Sequence, residues 1–375
     1  MADYKLRITD RAGLHVGEIC GRGDSDPAGE FTPFLTLAVS REVNKPGVCT
    51  FTLPGNHTAV SLLEDMGQVE VWRRDLTADP VIPWYREFAA FYRAQDWKYT
   101  DRENFQATCP GQMSLLSRRH VLWPAQTANR SAFTSLPAET IAKLLVRYNI
   151  MAEATVAAGR LREGALSGFT ITAAVDGGLG TVRDWYCAYD NLLETLQALA
   201  SAGAGDFDLV KVAATEWEFR WYDGQLGTDR SADIRFSLAQ GNMLDPSYSY
   251  NPLTEKTVAI ALGQGEAAAR AWQEATGANY SADNDIETVV TATDVTTDAG
   301  LVARAAAKLE ELQARAKFSF RTRETPEIRY GRDVFLGDKV KATYRGFDGA
   351  VQARAVTMAL DASGDEKVEL RMEAV

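Results

Sequence analysis

The feature that most limits the fold is an alternation of apolar and polar residues that returns at both ends of the chain. Tyr4, Leu6 and Ile8 alternate with Lys5, Arg7 and Thr9, and Trp217, Phe219 and Trp221 with Glu218, Arg220 and Tyr222. Val340 and Ala342, then Val351, Ala353 and Ala355, then Val368, Leu370 and Met372 repeat the pattern near the C-terminus. Successive strand side chains point to opposite faces, so each run predicts a strand with one buried face. Gln68–Arg73 and Glu87–Arg93 add further strands. Lys45-Pro46-Gly47 predicts a hairpin between Phe34–Val43 and Val48–Leu53. Asp223-Gly224 predicts another, returning through Ile234, Phe236 and Leu238. Asp348-Gly349 and Gly364-Asp365 are the expected turns of a C-terminal meander.

Helical spacing interrupts this pattern. Leu136–Ile150 has Pro137 in its first turn and Ile141, Leu144, Leu145 and Tyr148 on one side. Asp190 is placed to cap a second helix running to Ala200, with Leu192, Leu193, Leu196 and Leu199 buried and Gly203 beyond its end. Gly164–Asp184, between them, is glycine-rich and weakly patterned. Asp298–Lys317 carries Leu301, Val302, Ala305, Leu309, Leu312 and Ala316 as one apolar stripe. The order β, mixed, β, helical, β predicts a β-rich α+β protein rather than one wound α/β sheet. Two β-rich domains, each carrying an insertion, are expected. The first comprises 1–115 with 206–240 and is interrupted by an α+β insertion at 116–205. The second comprises 241–262 with 326–375 and is interrupted by a helical insertion at 263–325.

Composition excludes several functions. Forty basic against fifty-one acidic residues give a net charge of −11, without the clustered Lys and Arg of a phosphate-binding surface. No apolar run reaches bilayer length, and the charged N-terminus MADYKLRITD lacks a secretory h-region, so cytosolic synthesis without membrane insertion is expected. Cys20, Cys49, Cys109 and Cys187 form no C-x-x-C pair and read as buried free thiols. His15, His57 and His120 have no ligand-spaced neighbours. Ser281, Asp283, Asp285 and Glu287 alternate oxygens as calcium loops do, but lack the glycine of an EF-hand. Arg22-Gly23-Asp24 and the N-x-[ST] triplets at Asn56, Asn129 and Asn279 read as ordinary loop chemistry. No G-x-S-x-G element occurs, and no catalytic, cofactor-binding or metal-binding residue is nominated.

One motif demands a decision. In Lys256–Arg270, KTVAIALGQGEAAAR, the residues Gly263, Gly265 and Ala268 spell a variant of the dinucleotide fingerprint. That fingerprint needs a β-α-β-α-β unit with an acidic residue near the end of the second strand. The next strand candidate is Ile286–Thr293. Asp283 and Asp285 precede it, Asp294 comes late, and no third parallel strand follows. The glycines read better as a turn leaving a strand, with Arg270 as a structural anchor.

In that context the C-terminal half resembles the siphophage tail hub family, the hub portion of tail-associated tip proteins, itself similar to the contractile-tail baseplate hub. The resemblance rests on Gly263, Gly265 and Arg270, then on Tyr330-Gly331-Arg332-Asp333-Val334-Phe335-Leu336-Gly337-Asp338-Lys339-Val340, with a helix over Leu301–Ala316 between them and a closing meander. Gly331, Asp333, Gly337 and Asp338 are the motif positions of that second segment. The N-terminal half is similar more loosely, through Arg41, Pro46-Gly47, Phe51-Thr52-Leu53-Pro54 and the Asn191–Ala200 helix ahead of Phe207.

The resemblance implies a homotrimer of two-barrel subunits. Its ring would adapt a hexameric distal tail protein to a three-fold tip around a DNA channel. The implied partners are that hexamer, the tape measure protein and tip or fibre proteins. It implies no enzyme activity, no cofactor and no sequence-specific nucleic-acid binding, and it places the protein at the virion tail tip after assembly in the host cytoplasm. The chain ends at Val375, just past the meander, so lysin or receptor-binding activity is expected on other proteins. Two alternatives compete. One is a nucleotide-dependent oxidoreductase using the Gly263-Gly265-Ala268 turn. The other is a carbohydrate-binding or adhesion module, suggested by eight tryptophans among many strands.

Overall fold

A computed structural model describes residues 2–21, 34–99, 101–124, 130–293, 295, 297–313, 316–361 and 365–375. Arg22-Gly23-Asp24, Asn129, Asp294 and Gly364 therefore lie outside the described residues. The chain divides into two compact units. One comprises Met1–Asp245, Phe320–Glu373 and Val375; the other comprises Pro246–Ser319 with Ala374.

Along the chain, the first strands are β1 (Ala2–Thr9), β2 (His15–Cys20), β3 (Thr36–Glu42), β4 (Val48–Pro54), β5 (Gln68–Asp75), β6 (Ile82–Phe91), β7 (Ala94–Tyr99) and β8 (Glu103–Pro110). Then come β9 (Ser131–Pro137), α1 (Ala138–Asn149), β10 (Thr170–Ala173), β11 (Val182–Cys187), α2 (Leu192–Gly203), β12 (Gly205–Ala213), β13 (Glu216–Asp223) and β14 (Arg235–Ser237). The remainder is β15 (Met243–Tyr250), β16 (Val258–Leu262), β17 (Trp272–Thr276), β18 (Glu287–Thr291), α3 (Asp298–Leu312), β19 (Ala316–Thr322), β20 (Lys339–Tyr344), β21 (Phe347–Leu360) and β22 (Glu366–Ala374). The fold is β-rich α+β, as the alternation predicts.

In the first unit one sheet has the order β2-β1-β5-β6. Tyr4, Leu6 and Ile8 fill its buried face. A larger sheet contains the run β22-β21-β3-β4-β8-β7, with β20 antiparallel to β21 and β14 parallel to β20. The β3–β4 hairpin forms as expected, with Asn44 and Gly47 in the left-handed region at φ 63° and 67°. Cys49 and Cys109 stand opposite one another on β4 and β8. Burial pushes the Cys49 thiol up to about 12 and raises Cys109 as well, so both stay protonated.

Several expectations are corrected. β13 does not turn at Asp223-Gly224 into a returning strand. Its antiparallel partner is the preceding β12, and it lies parallel to β10, while β14 pairs with β20. β12 and β13, grouped from the sequence with the first β-rich domain, share the core of α1 and α2 through Phe207, Leu209, Trp217 and Phe219. Asn191, not Asp190, caps α2 by accepting from the Leu193 amide, and the helix ends on Ala204 in the left-handed region. The β20–β21 turn falls at Arg345-Gly346, because Tyr344 pairs with Phe347, so Asp348-Gly349 are strand residues.

In the second unit β16 is the middle strand of its own sheet, antiparallel to β17 and parallel to β18. It shares no sheet with the strands of 326–375, with which the sequence pattern groups it. α3 covers one face, where Leu301, Ala305 and Leu309 meet Ala259, Ala261 and Ala292. Small residues on the strands let the helix approach closely. Val302 is 40% exposed, and the helix stops at Leu312 rather than Lys317.

Candidate functional site: a buried polar junction

The segment Tyr330–Val340 occupies a junction of charges in the first unit. Arg73 on β5 is 1% exposed. Its Nε donates to Glu366 Oε1 at 2.8 Å and its Nη2 to Glu366 Oε2 at 3.3 Å, a bidentate pair. The same guanidinium donates to the hydroxyls of Tyr4 at 3.1 Å and Tyr85 at 3.3 Å, and to the Tyr330 carbonyl at 3.3 Å. The Tyr4 hydroxyl itself donates to Glu366. Burial, reinforced by nearby carboxylates, raises the Tyr4, Tyr85 and Tyr330 phenols above their ordinary values, so all three remain neutral donors. Burial alone would lower the Arg73 value, but the bidentate pair with Glu366 outweighs it and holds the guanidinium charged.

A second carboxylate is satisfied alongside. Glu87 on β6 is buried. Its Oε1 accepts from Arg41 Nη1 at 2.7 Å and from the Tyr330 hydroxyl at 2.7 Å. Arg41 also donates to the Glu87 carbonyl at 2.8 Å. Tyr330 therefore touches both clusters, with its carbonyl on Arg73 and its hydroxyl on Glu87.

The motif residues hold this segment in place. Gly331 has φ 84°, and a Cβ there would lie 2.7 Å from the Tyr85 hydroxyl and 3.0 Å from Arg73 Nη1. Glycine is required both for the backbone angle and for the close approach. Asp333 accepts from the Arg329 amide at 2.7 Å and from Arg332 Nε at 3.0 and 2.9 Å, closing the turn on itself. Asp338 is 2% exposed. It accepts from the Thr228 amide at 2.7 Å, Arg230 Nε at 2.9 Å and the Phe335 amide at 2.9 Å. Gly337 has φ 91°, and a Cβ would meet the Gly227 nitrogen at 2.8 Å. Gly331, Asp333, Gly337 and Asp338 are thus brought together as two successive turns ahead of β20.

The other motif residues sit in the second unit. Gly263 donates to the Ala271 carbonyl at 2.8 Å and Arg270 Nε donates to the Gly263 carbonyl at 3.2 Å, clamping the loop between β16 and β17. Gly265 has φ 100°, and a Cβ would lie 2.5 Å from the Ala269 carbonyl oxygen. Only a 3₁₀ turn, Ala267–Ala269, follows the glycines, and the next strand is antiparallel. A dinucleotide site needs a helix N-terminus there and a parallel partner. Among the described residues no group of three or more His, Cys, Asp or Glu is placed to hold a metal ion; in the 281–287 loop Ser281 bonds Asp283 at 2.7 Å.

Sequence reasoning missed Arg73, Glu366, Tyr4 and Glu87. It also missed Asp206, which accepts from Asn44 at 2.9 Å, the Leu226 amide at 2.9 Å and Gln352 at 2.8 Å. The available signal was Arg73 inside QVEVWRRD, a cation within a strand whose other residues are largely buried.

The chain shares its β-rich α+β fold with phage tail proteins. It aligns over 100% of its length with 98% of the 43 kDa tail protein of prophage MuSo2 from Shewanella oneidensis, at TM-score 0.56 and 10% identity. The tail protein from Neisseria meningitidis MC58 aligns with 99% of the chain over 96% of its own, at TM-score 0.53 and 9% identity. A chain of the Francisella PdpA-VgrG complex matches 100% of this chain over 58% of its own, at TM-score 0.55 and 8% identity. No curated protein sequence matches. The family model for the siphovirus ReqiPepy6 Gp37-like protein matches residues 23–372, and the chain belongs to that family.

Proposed function

We propose that the protein is the structural hub of a long non-contractile phage tail or a tail-like particle. Three copies form a ring at the tail tip, each chain contributing the sheets built from strands of 1–115 and 326–375. The ring joins a hexameric distal tail protein to a three-fold tip, with tape measure and fibre proteins as neighbours, and leaves a channel for DNA. Part of the −11 charge lines that channel and repels the passing phosphates. The observation that carries this reading is the likeness to phage tail proteins over the whole chain. The polar junction fits a passive load-bearing role, because every charge in it is spent on another part of the same unit. The reading is tested by light scattering and negative-stain imaging of the purified chain. A ring with three times the monomer mass is expected, with no thermal shift on adding NAD(P). A monomer strongly stabilised by a dinucleotide defeats the proposal, and a basic or neutral lumen defeats the charge assignment.

A further inference from the structure

A cavity of about 170 Å³ opens in the first unit beside the β3–β4 turn. It is smaller than the roughly 300–1,000 Å³ of most small-molecule sites, and is of side-chain size. Its walls are partly apolar, formed by Phe88, Met113, Val210 and Leu336. Its three lining cations are already paired: Arg41 with Glu87 at 2.7 Å, Lys45 with Glu42 at 2.6 Å and Arg86 with Glu70 at 3.3 Å. Two acceptors have capacity left. Asp208 makes no ion pair among the described residues; its Oδ1 accepts from the Leu209 amide at 2.7 Å. Gln112 Oε1 is buried without a hydrogen-bond partner. Burial raises the Asp208 carboxyl above its ordinary value, against the pull of Arg41 and Arg220. A buried acceptor left unmade costs about 1–3 kcal/mol, so Gln112 Oε1 calls for a donor, and the half-buried Asp208 carboxylate lining the same cavity can take a cationic one.

We propose that the cavity is a socket for one alkylammonium or alkylguanidinium group, its cationic head on Asp208 and Gln112 Oε1 and its stem against the apolar walls. The inference does not depend on the hub reading, since it concerns a site within one chain. Agmatine is the probe, titrated onto the full-length protein by calorimetry, with butylurea, which lacks both of its cationic ends, as control. Saturable one-to-one binding of agmatine is expected, at least tenfold weaker in Asp208→Asn and several-fold weaker in Gln112→Met, with no binding of butylurea. Asp208→Asn removes a half-buried charge that makes no ion pair among the described residues and keeps an oxygen for the Leu209 amide; it is expected to melt no lower than the parent, so its lost binding is not lost folding. No saturable binding of agmatine, equal affinity in Asp208→Asn, or equal binding of butylurea overturns the proposal. Light scattering with and without agmatine separates the sources of the cation. A fall in oligomer mass assigns it to a side chain of a second copy, and an unchanged mass assigns it to a free amine.

Discussion

The turns at Gly331 and Gly265 have the same backbone problem and opposite surroundings. Both residues adopt positive φ, 84° and 100°, and both would press a Cβ against a neighbour. Gly331 meets a guanidinium and a phenol that hold two sheets' worth of charge; Gly265 meets only the carbonyl of its own loop. The first turn is specified by long-range polar contacts, with Arg73 reaching Glu366 and Tyr330 reaching Glu87. The second is specified locally, by Gly263, Arg270 and Ala271. A motif can thus be short in sequence and either global or local in what it stabilises.

The largest expected effect is that of Arg73→Ala. It leaves Glu366 without its guanidinium and should cost about 3–5 kcal/mol of unfolding free energy, read from a urea transition. A loss under about 1 kcal/mol would mean that the junction is ornamental. Next come the two glycines. Gly331→Ala should cost about 2–3 kcal/mol, because strain and collision with the network add. Gly265→Ala should cost about 1–2 kcal/mol, with faster hydrogen exchange confined to the amides of β16 and β17. Equal losses, or exchange spreading through the first unit, would erase the distinction drawn above.

The smallest effect is a pH dependence at Glu70. Burial alone would raise this carboxyl, but Lys211 at 2.8 Å and Arg86 at 3.3 Å outweigh it and hold the folded value below the ordinary 4.5. A depressed folded value means that the stabilisation is complete above the unfolded value and is lost as pH falls from there through the folded one. Acid titration of the melting temperature should show this loss beginning near pH 4.5, and Glu70→Gln should flatten that part of the curve. An identical acid limb in the variant would remove Glu70 from the account.

How far the sequence spoke depended on how local each signal was. Alternation placed β1, β13 and β20, and the α1 and α3 stripes placed their helices, because burial on one face is written in the spacing itself. Pairing was harder. Asp223-Gly224 looked like a hairpin, yet the β12–β13 link is made by Ala214-Thr215, with no glycine, since a sheet partner can override turn preference. The motif glycines were legible as turns. Their charged neighbours were not, because Arg73 and Glu366 are far apart in sequence and nothing in either local run names the other.

The pairing of β21 with β3 has a consequence in time rather than in space. Leu37 through Glu42 find their partners at Ala355 through Leu360. At a synthesis rate of about 5–20 residues per second, β3 waits roughly a quarter of a minute to a minute for that edge. During that interval the nascent chain carries a raw strand border, open to the β-edges of other unfinished copies. Slower translation, or loss of chaperone cover, is therefore expected to lower the share of chains that reach a usable state.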